Sequence, residues 1–268
     1  MAAEEGAGTA RAAYDHIAPH YDEFTAHHDY ELWLGNLLPA ARRLGLRGSR
    51  LLDVACGTGK SFLPLLRRGW QVTGCDISES MLERARAKVG DRARLELADM
   101  RSLPVFGSFD LVLCLDDAIN YLLNPEELVR CLRGLRRNLA PGGIVLFDVN
   151  TLGSYRTFFA STEVHDTPEG RMIWRGRASP RAEPGSTFEA IFEVDGRSDN
   201  GQAHSSAVHR QRHHRPPEIL HGLDGAGLRC LAVFGHGLDA RLAQPLDEAR
   251  HTKAIFIAEA ERPEGGEP

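Results

Sequence analysis

The sequence predicts an α/β fold with a doubly wound, mostly parallel sheet, and three observations support this prediction. Short apolar runs such as "RLLDVA" (50–55) and "FDLVLCLD" (109–116) alternate with amphipathic helical stretches. The runs are rich in Val and Leu, as strands buried on both faces are. Glycine or Asn-Pro separates them at the spacing expected for helix ends. The 268 residues suffice for one such domain with a modest appendage.

The chain before the first strand is predicted to be helical. Residues 1–12 and the tail 261–268 are polar and are expected to be frayed. Apolar residues between 14 and 45 recur at helical spacing on one face. We therefore assign residues 1–45 to an N-terminal helical segment. The residues that share the apolar face are Tyr30, Trp33, Leu34, Leu37 and Leu38.

Residues 46–150 contain the regular alternation of strand and helix. Ser78 is expected to cap the helix that ends at Gly90, and Asn124 with Pro125 is expected to open the last helix. We predict five strands, "RLLDVA" (50–55), "QVTGCD" (71–76), "ARLELAD" (93–99), "FDLVLCLD" (109–116) and "GGIVLFDV" (142–149).

The pattern changes after Asn150. Residues 151–215 carry period-two alternation in "RMIWRGR", "STFEAIFEVDG" and "AVHRQRHH", with turn signals "PEG" and "SDNG" between them. This pattern predicts antiparallel strands that form an inserted cap. Residues 216–262 then return to the sheet with one helix and the strands "LRCLAVFG" and "KAIFIAEA".

Composition excludes several classes of protein. The net charge of -5 lacks the basic excess that general nucleic-acid binding needs. Five cysteines with no CxxC pair predict reduced, buried thiols and no metal site of that kind. The start lacks an apolar signal region, and no run is long enough to span a membrane. The expectation is a cytoplasmic protein whose oligomeric state, a homo-oligomer included, is left open.

The stretch "CGTGKS" (56–61) follows the first strand and admits three interpretations. A phosphate-binding loop would need glycine at the position of Val54, and Asp53 would repel a triphosphate. A dinucleotide fingerprint would need glycine where Phe62 stands. The third interpretation is a glycine turn behind an acidic strand end, which suits a cationic ligand. Acids also end the second and third strands, at Asp76 and Asp99.

These motifs resemble the class I S-adenosylmethionine (SAM)-dependent methyltransferases. "LLDVACGTG", Asp76, "DM" at 99–100 and "LAPGGIVLFDVN" stand in the order that this family shows. The resemblance implies a Rossmann-like seven-stranded sheet in the order 3-2-1-4-5-7-6. "YDHIAPHYDEFT" (14–25) is similar to the N-terminal lid of small-molecule methyltransferases, including glycine N-methyltransferase and aminosugar N,N-dimethyltransferases.

The resemblance also implies the cofactor site. Asp76 would hold both ribose hydroxyls, Asp99 the adenine amine, and Met100 the adenine ring. Tyr21, on the lid, would lie near the cofactor. The residues assigned to SAM are Tyr14, Tyr21, Asp53, Ala55, Cys56, Gly57, Gly59, Asp76, Ile77, Met81, Asp99, Met100 and Leu115.

"DDAINYL" (116–122) follows the fourth strand, where the methyl group should emerge. Asp116, Asn120 and Tyr121 are the catalytic candidates of this segment, and the alternative is that the acids only cap the next turn. In the aminosugar relatives the position that matches Tyr121 holds an active-site His.

"HRQRHH" (209–214) is the most unusual local composition. On a strand, His209, Gln211 and His213 share one face and His214 points the other way. The segment is an acceptor-binding wall, a metal site or a solvated strand, and metal is disfavoured because no partner ligands have suitable spacing. His209 and His213 are the catalytic candidates. One of His20, His27 and His28 is also expected near the acceptor.

The sequence therefore predicts a SAM-dependent methyltransferase that acts on a small-molecule acceptor, with no nucleic-acid, membrane or metal partner. The acceptor atom is expected to be an amine nitrogen in bacterial specialised metabolism. The alternatives are O- or C-methylation of a small molecule, or a SAM-binding protein without transferase activity.

Overall fold

The computed structural model describes residues 2–167, 170–198, 201–237 and 241–261. These residues form an eight-stranded mixed sheet flanked by helices and a separate four-stranded antiparallel sheet. The predicted α/β fold with an inserted antiparallel cap is confirmed. Two of the expected turn segments fall partly on 168–169 and 199–200, and most of the polar tail on 262–268, so these predictions lie outside the described residues.

The large sheet has the order β11-β10-β12-β5-β4-β1-β2-β3. Strands β1 to β5 are parallel, whereas β12 runs antiparallel to both β5 and β10. Without β11, which pairs with β10 over two residues, the order is the one implied by the resemblance. The sheet thus has one edge strand more than predicted. Its strands are β1 (Arg50–Val54), β2 (Gln71–Asp76), β3 (Arg94–Leu97), β4 (Phe109–Cys114), β5 (Leu139–Asn150), β10 (Leu228–His236), β11 (Leu242–Ala243) and β12 (Lys253–Ala260).

Eight α-helices lie in the described part of the chain. The side chain of Ser78 accepts a hydrogen bond from the Met81 amide, and Asn124 accepts one from Glu127, so both predicted N-caps are present. The helices are α1 (Ala2–Ile17), α2 (Tyr21–Phe24), α3 (Tyr30–Arg43), α4 (Leu63–Arg67), α5 (Glu79–Val89), α6 (Pro125–Arg137), α7 (Leu152–Arg156) and α8 (Pro216–Gly225).

For the described residues 2–12 the expectation of a frayed end is wrong, because α1 begins at Ala2. Its Ala10, Ala13 and Ile17 are buried where the helix packs against the cap and α5. Alanine is the best helix former, and its small side chain lets the helix lie close to its neighbours. Polar composition alone therefore misled the prediction, since tertiary burial fixes this helix.

The cap sheet has the order β6-β7-β8-β9 and contains one strand that the sequence analysis missed. That strand is β6 (Thr162–Thr167), and it pairs antiparallel with β7 (Gly170–Gly176). The other two strands are β8 (Thr187–Ser198) and β9 (Gly201–Arg212). The inner face of the cap buries Trp174 and Phe192 against Phe24 from α2. The cap and the N-terminal helices therefore share one apolar core beside the carboxyl ends of the parallel strands.

Candidate functional site

A pocket lies at the carboxyl ends of β1, β2 and β4, beneath the N-terminal helices. Open α/β sheets bind ligands at this edge. Its empty space, counted together with the open mouth, is about 760 Å³. The residues of its wall that the sequence analysis had assigned are Tyr14, Tyr21, Ala55, Cys56, Gly57, Asp76, Ile77, Asp99, Met100, Leu115, Asp116 and Tyr121.

The loop after β1 forms the floor of the pocket. Ala55, Gly57 and Gly59 have φ values of 58°, 53° and 81°. A Cβ on Gly57 would meet nothing closer than the Tyr21 ring at 3.9 Å, so a ligand can approach this backbone closely. A Cβ on Gly59 would lie 2.8 Å from the Phe62 ring. Gly59 therefore serves the packing of the turn and does not line the pocket.

Two further residues assigned to the cofactor lie behind the pocket wall. Asp53 is 1% exposed, and its carboxylate accepts a hydrogen bond of 2.5 Å from Ser61. Burial raises the pKa of Asp53 to about 7. Met81 is fully buried in the first turn of α5. Asp53 thus holds the loop through Ser61, and Met81 lies in the core that the cap shares with the N-terminal helices, so neither residue lines the pocket.

Asp76 ends β2 with its carboxylate at the pocket. One oxygen accepts the Gly57 amide at 2.8 Å and the other accepts the Ser78 amide at 2.9 Å. Burial raises the pKa of Asp76 to about 6 despite these donors. Each oxygen keeps a second lone pair, so the carboxylate can accept two hydroxyl groups of a bound ribose. This hydrogen-bond acceptor fits the ribose of SAM.

The acid at the end of the third strand, Asp99, is held by a neighbouring arginine. The Nε–H group of Arg101 is shared between the two carboxylate oxygens of Asp99, at 2.9 and 3.0 Å. It also accepts the Arg101 amide at 2.9 Å. Asp99 and Met100 still face the pocket, so they can receive an adenine, but Arg101 fixes the orientation of the carboxylate.

The N-terminal helices are fastened to the pocket by polar contacts. Lys60 donates hydrogen bonds to the Thr25 carbonyl and hydroxyl, at 2.6 and 2.9 Å. Asp22 accepts a bond of 2.6 Å from Thr58 and also pairs with Lys88. The Lys-Ser of "CGTGKS", which had no assigned role, therefore stabilises the loop. Lys60 binds the N-terminal segment at Thr25, and Ser61 binds the buried carboxylate of Asp53. The pocket residues that the sequence analysis missed are Ala10, Tyr30, Thr58, Lys60, Ser61, Ala98, Arg101 and Ala118.

Asp116 is the polar centre of the pocket. One of its oxygens accepts the hydroxyls of Tyr21 and Tyr30, at 3.3 and 3.0 Å, and lies 3.2 Å from the His28 ring nitrogen. Its other oxygen lies 3.6 Å from the Lys253 ammonium. Burial opposes the charge of Asp116, but His28 and Lys253 outweigh it and lower the pKa of this carboxyl. Asp116 is thus an ionised carboxylate among aromatic rings.

Tyr121 and His209 form a second polar pair at the pocket. The Tyr121 hydroxyl lies 2.8 Å from Nδ1 of His209, and the Tyr14 ring stacks obliquely on Tyr121 at 5.2 Å. His209 itself lies behind Tyr121 and is 2% exposed. Burial, with a smaller effect from the nearby His16, lowers its pKa to about 4. The imidazole is therefore neutral at pH 7, and it meets the pocket wall through Tyr121 and through the edge of the Tyr14 ring at 5.6 Å.

The other polar residues predicted near the acceptor join the core to the cap. Asn120 accepts the Asn150 amide at 2.9 Å and donates to the Arg212 carbonyl at 2.8 Å. His213 accepts from the Gly185 amide at 3.1 Å and bonds Glu248 at 2.8 Å. Neither side chain lies on the pocket wall, so the structure does not bring Asn120 or His213 to the acceptor.

The solvated interpretation of "HRQRHH" is wrong, because the side chains of His209, Gln211, His213 and His214 are all buried. Within the described ranges, no group of three or more His, Cys, Asp or Glu could hold a metal ion. The segment is the seam between the cap and the core. Of the N-terminal histidines, His28 reaches the site and His20 is not on its wall.

No helix in the described part of the chain combines the length and the apolar character that crossing a membrane requires.

Comparisons with known proteins agree with this geometry. Residues 51–143 match the family model described as a methyltransferase domain. The Bacillus subtilis (strain 168) protein YqeM, which bears a provisional methyltransferase name, is 31% identical over 92% of this chain and 96% of its own length. The dTDP-3-amino-3,4,6-trideoxy-alpha-D-glucopyranose N,N-dimethyltransferase of Streptomyces venezuelae is 30% identical over 77% of this chain and 86% of its own.

Solved structures share the fold. A S-adenosylmethionine-dependent methyltransferase from Clostridium acetobutylicum ATCC 824 superposes with a TM-score of 0.75 at 20% identity, over 93% of this chain and 99% of that one. The sugar N-methyltransferase KedS8 from Streptoalloteichus sp ATCC 53650 superposes with a TM-score of 0.69 at 24% identity, over 90% and 93%.

Proposed function

Because the chain belongs to the SAM-dependent methyltransferases, we propose that it methylates the amino group of a small molecule. SAM supplies an electrophilic methyl group on a sulfonium. The protein must hold the cofactor, orient the acceptor nitrogen along the line of displacement, and exclude water. Several relatives act on amino groups by their printed names, and they include the Streptomyces venezuelae aminosugar N,N-dimethyltransferase.

The cofactor would occupy the part of the pocket between β1 and β3. Asp76 would accept the two ribose hydroxyls, and Asp99 with Met100 would receive the adenine. The open backbone at Gly57 would let the amino-acid end of SAM lie against the loop. An acidic wall favours a sulfonium and an ammonium group, whereas it would repel a triphosphate.

The observation that carries the amine assignment is Asp116. It is an ionised carboxylate in a wall formed by Tyr14, Tyr21, Tyr30 and Tyr121. A carboxylate with aromatic faces suits an ammonium group, through a charge-assisted hydrogen bond and cation–π attraction. The acceptor would therefore arrive as an ammonium ion at Asp116, where it would replace one of the groups that Oδ2 now meets, Tyr21, Tyr30 or His28.

Proton loss must precede attack, because only the neutral amine has a free lone pair. His209 is poorly suited to store that proton, since burial disfavours its charged form. We propose that the proton passes to solvent before the pocket closes, and that Tyr121, oriented by His209, then accepts a hydrogen bond from the neutral amine. An alcohol acceptor would instead need a strong general base. None of the described residues on the pocket wall is a histidine, and the lowered pKa of Asp116 makes that carboxylate a weak base.

A screen with methyl-labelled SAM and a panel of amines and matched alcohols tests this proposal. Mass spectrometry should find the label on nitrogen, and the amine that gives the highest kcat/KM becomes the reference acceptor. Labelling of alcohols alone would refute the amine assignment. Absence of any transfer, with SAM bound, would favour a SAM-binding protein without transferase activity.

A further inference from the structure

The turn after β4 is held in an unfavourable backbone conformation. Asp116 and Asp117 are consecutive non-glycine residues with φ values of 63° and 54°. A side chain with a Cβ disfavours this left-handed region, so the surroundings must hold the turn. The two amides donate to the two oxygens of Asp148 on β5, at 2.6 and 2.9 Å. The turn is therefore organised around one fully buried carboxylate.

One lysine lies within ion-pair distance of Asp116, Asp117 and Asp148. Lys253 is the first residue of β12, which lies beside β5 in the sheet. Its ammonium group pairs with Asp117 and lies 3.2 Å from Asp148 and 3.6 Å from Asp116. Three carboxylates at such distances repel one another when ionised, so their arrangement depends on Lys253, the cation that meets all three.

The two carboxylate oxygens of Asp116 have different partners. Oδ1 faces Lys253, whereas Oδ2 faces the pocket. The titratable groups that meet Oδ2 come from the N-terminal helices and the loop between them, and they are Tyr21, His28 and Tyr30. On the opposite side, Asp117, Asp148 and Lys253 face the carboxylate, and His27 and Lys60 act on it at longer range.

The use of lysine in this chain supports a special role. Only three of its 32 basic Lys and Arg residues are lysine, and all three lie at the pocket or its closure. Lys60 and Lys88 fasten the N-terminal helices, and Lys253 holds the acidic turn. A compact ammonium with freely rotating donors fits between three carboxylates, whereas a planar guanidinium would not.

We infer that Lys253 is a positioning residue for the acceptor, because it holds the Asp116–Asp117 turn so that one oxygen of Asp116 faces the pocket. This inference rests on the proposed function, in which Asp116 binds the acceptor ammonium. Lys253 itself does not line the pocket and would not touch the acceptor.

The first test needs no acceptor. Aspartate is labelled at its carboxyl carbon, and its NMR signals are titrated in the protein saturated with S-adenosylhomocysteine. In Lys253→Met, the three acids of the turn should together bind about one more proton near pH 7 than in the wild type. Asp110, which pairs with Arg50 at the far end of β4, serves as the internal control. An unchanged titration of the three acids overturns the inference, whatever the acceptor proves to be.

The second test is kinetic and uses the reference amine of the labelled-SAM screen. Lys253→Met should raise KM for the amine about 10–100-fold while leaving the affinity for SAM within about threefold. Lys253→Met with Asp117→Asn removes one charge of each sign and should restore most of that loss. If Asp116→Asn raises KM and Lys253→Met does not, only the inference about Lys253 fails. If neither variant raises KM, the acceptor role of Asp116 fails with it.

Discussion

Replacement of Asp76 by Asn separates cofactor binding from stability. The carboxylate is buried, and its pKa is raised from 3.8 to about 6. A shift of about two units means that keeping the charge costs the fold about 3 kcal/mol at pH 7. Since the folded pKa exceeds the unfolded one, this cost appears as the pH rises from about 4 through 6. Asparagine removes it.

The same substitution also loses contacts. The Asn side chain can accept only one of the two amides, from Gly57 or Ser78, that the carboxylate accepts now. An unsatisfied buried amide costs about 1–3 kcal/mol. The free energy of unfolding at pH 7 should therefore rise by about 0–2 kcal/mol, because the gain of about 3 kcal/mol equals or exceeds the loss. SAM should bind about 2–4 kcal/mol more weakly, or about 30–900-fold, because the ribose hydroxyls lose a charged acceptor.

Urea unfolding of the free protein and calorimetry with SAM and S-adenosylhomocysteine measure the two effects. Asp110→Asn is the matched control, since Asp110 binds Arg50 outside the pocket and its pKa is lowered by that guanidinium. It should lose stability and keep the affinity for SAM. Wild-type affinity in Asp76→Asn would refute the assignment of the β2 acid to the ribose.

The remaining predictions concern the acceptor side and the N-terminal helices. In steady-state assays Asp116→Asn should raise KM for the amine about 10–150-fold, which corresponds to the loss of one charged hydrogen bond. An unchanged KM would show that Asp116 does not bind the acceptor. His209→Gln should lower kcat/KM about tenfold, because Tyr121 loses its orienting partner. His213→Gln should instead cost about 1–3 kcal/mol of stability with little effect on kcat/KM, since it breaks buried bonds away from the pocket; equal kinetic effects would contradict the geometry. Deletion of residues 1–24 should lower kcat by about 100-fold or more while circular dichroism shows the sheet intact, because α1 and α2 close the pocket; an unchanged kcat would show that they are not a lid.

The site residues that the sequence predicted are acids at the carboxyl ends of individual strands. Asp76, Asp99 and Asp116 each follow an apolar run, and parallel strands bring their carboxyl ends to one edge of the sheet. Local pattern and a general rule of sheet geometry therefore suffice for them. The same holds for the Ser78 and Asn124 caps, whose partners lie three residues away.

The errors fall where the partner is distant in the sequence. Asn120 and His213 stood near the right elements, yet their amide and ring are occupied by Arg212 and Glu248, 92 and 35 residues away. No local sequence pattern predicts contacts between residues so far apart in the chain. Lys253 was missed for the same reason, because the acids it serves lie 105 to 137 positions earlier and only the pairing of β12 with β5 brings them together.

The most direct test of the central claim is the pH dependence of transfer to the reference amine. An aliphatic amine has a pKa near about 10, so only a small fraction is neutral at pH 7. A site that binds the ammonium and positions the neutral amine should show kcat/KM rising about tenfold per unit through about pH 7–9. The label should be on nitrogen in every product. A plateau from about pH 6–7 that disappears when His209, His213 or His28 is replaced by Ala, with the label on oxygen, would contradict the account and make the enzyme an O-methyltransferase with a histidine base.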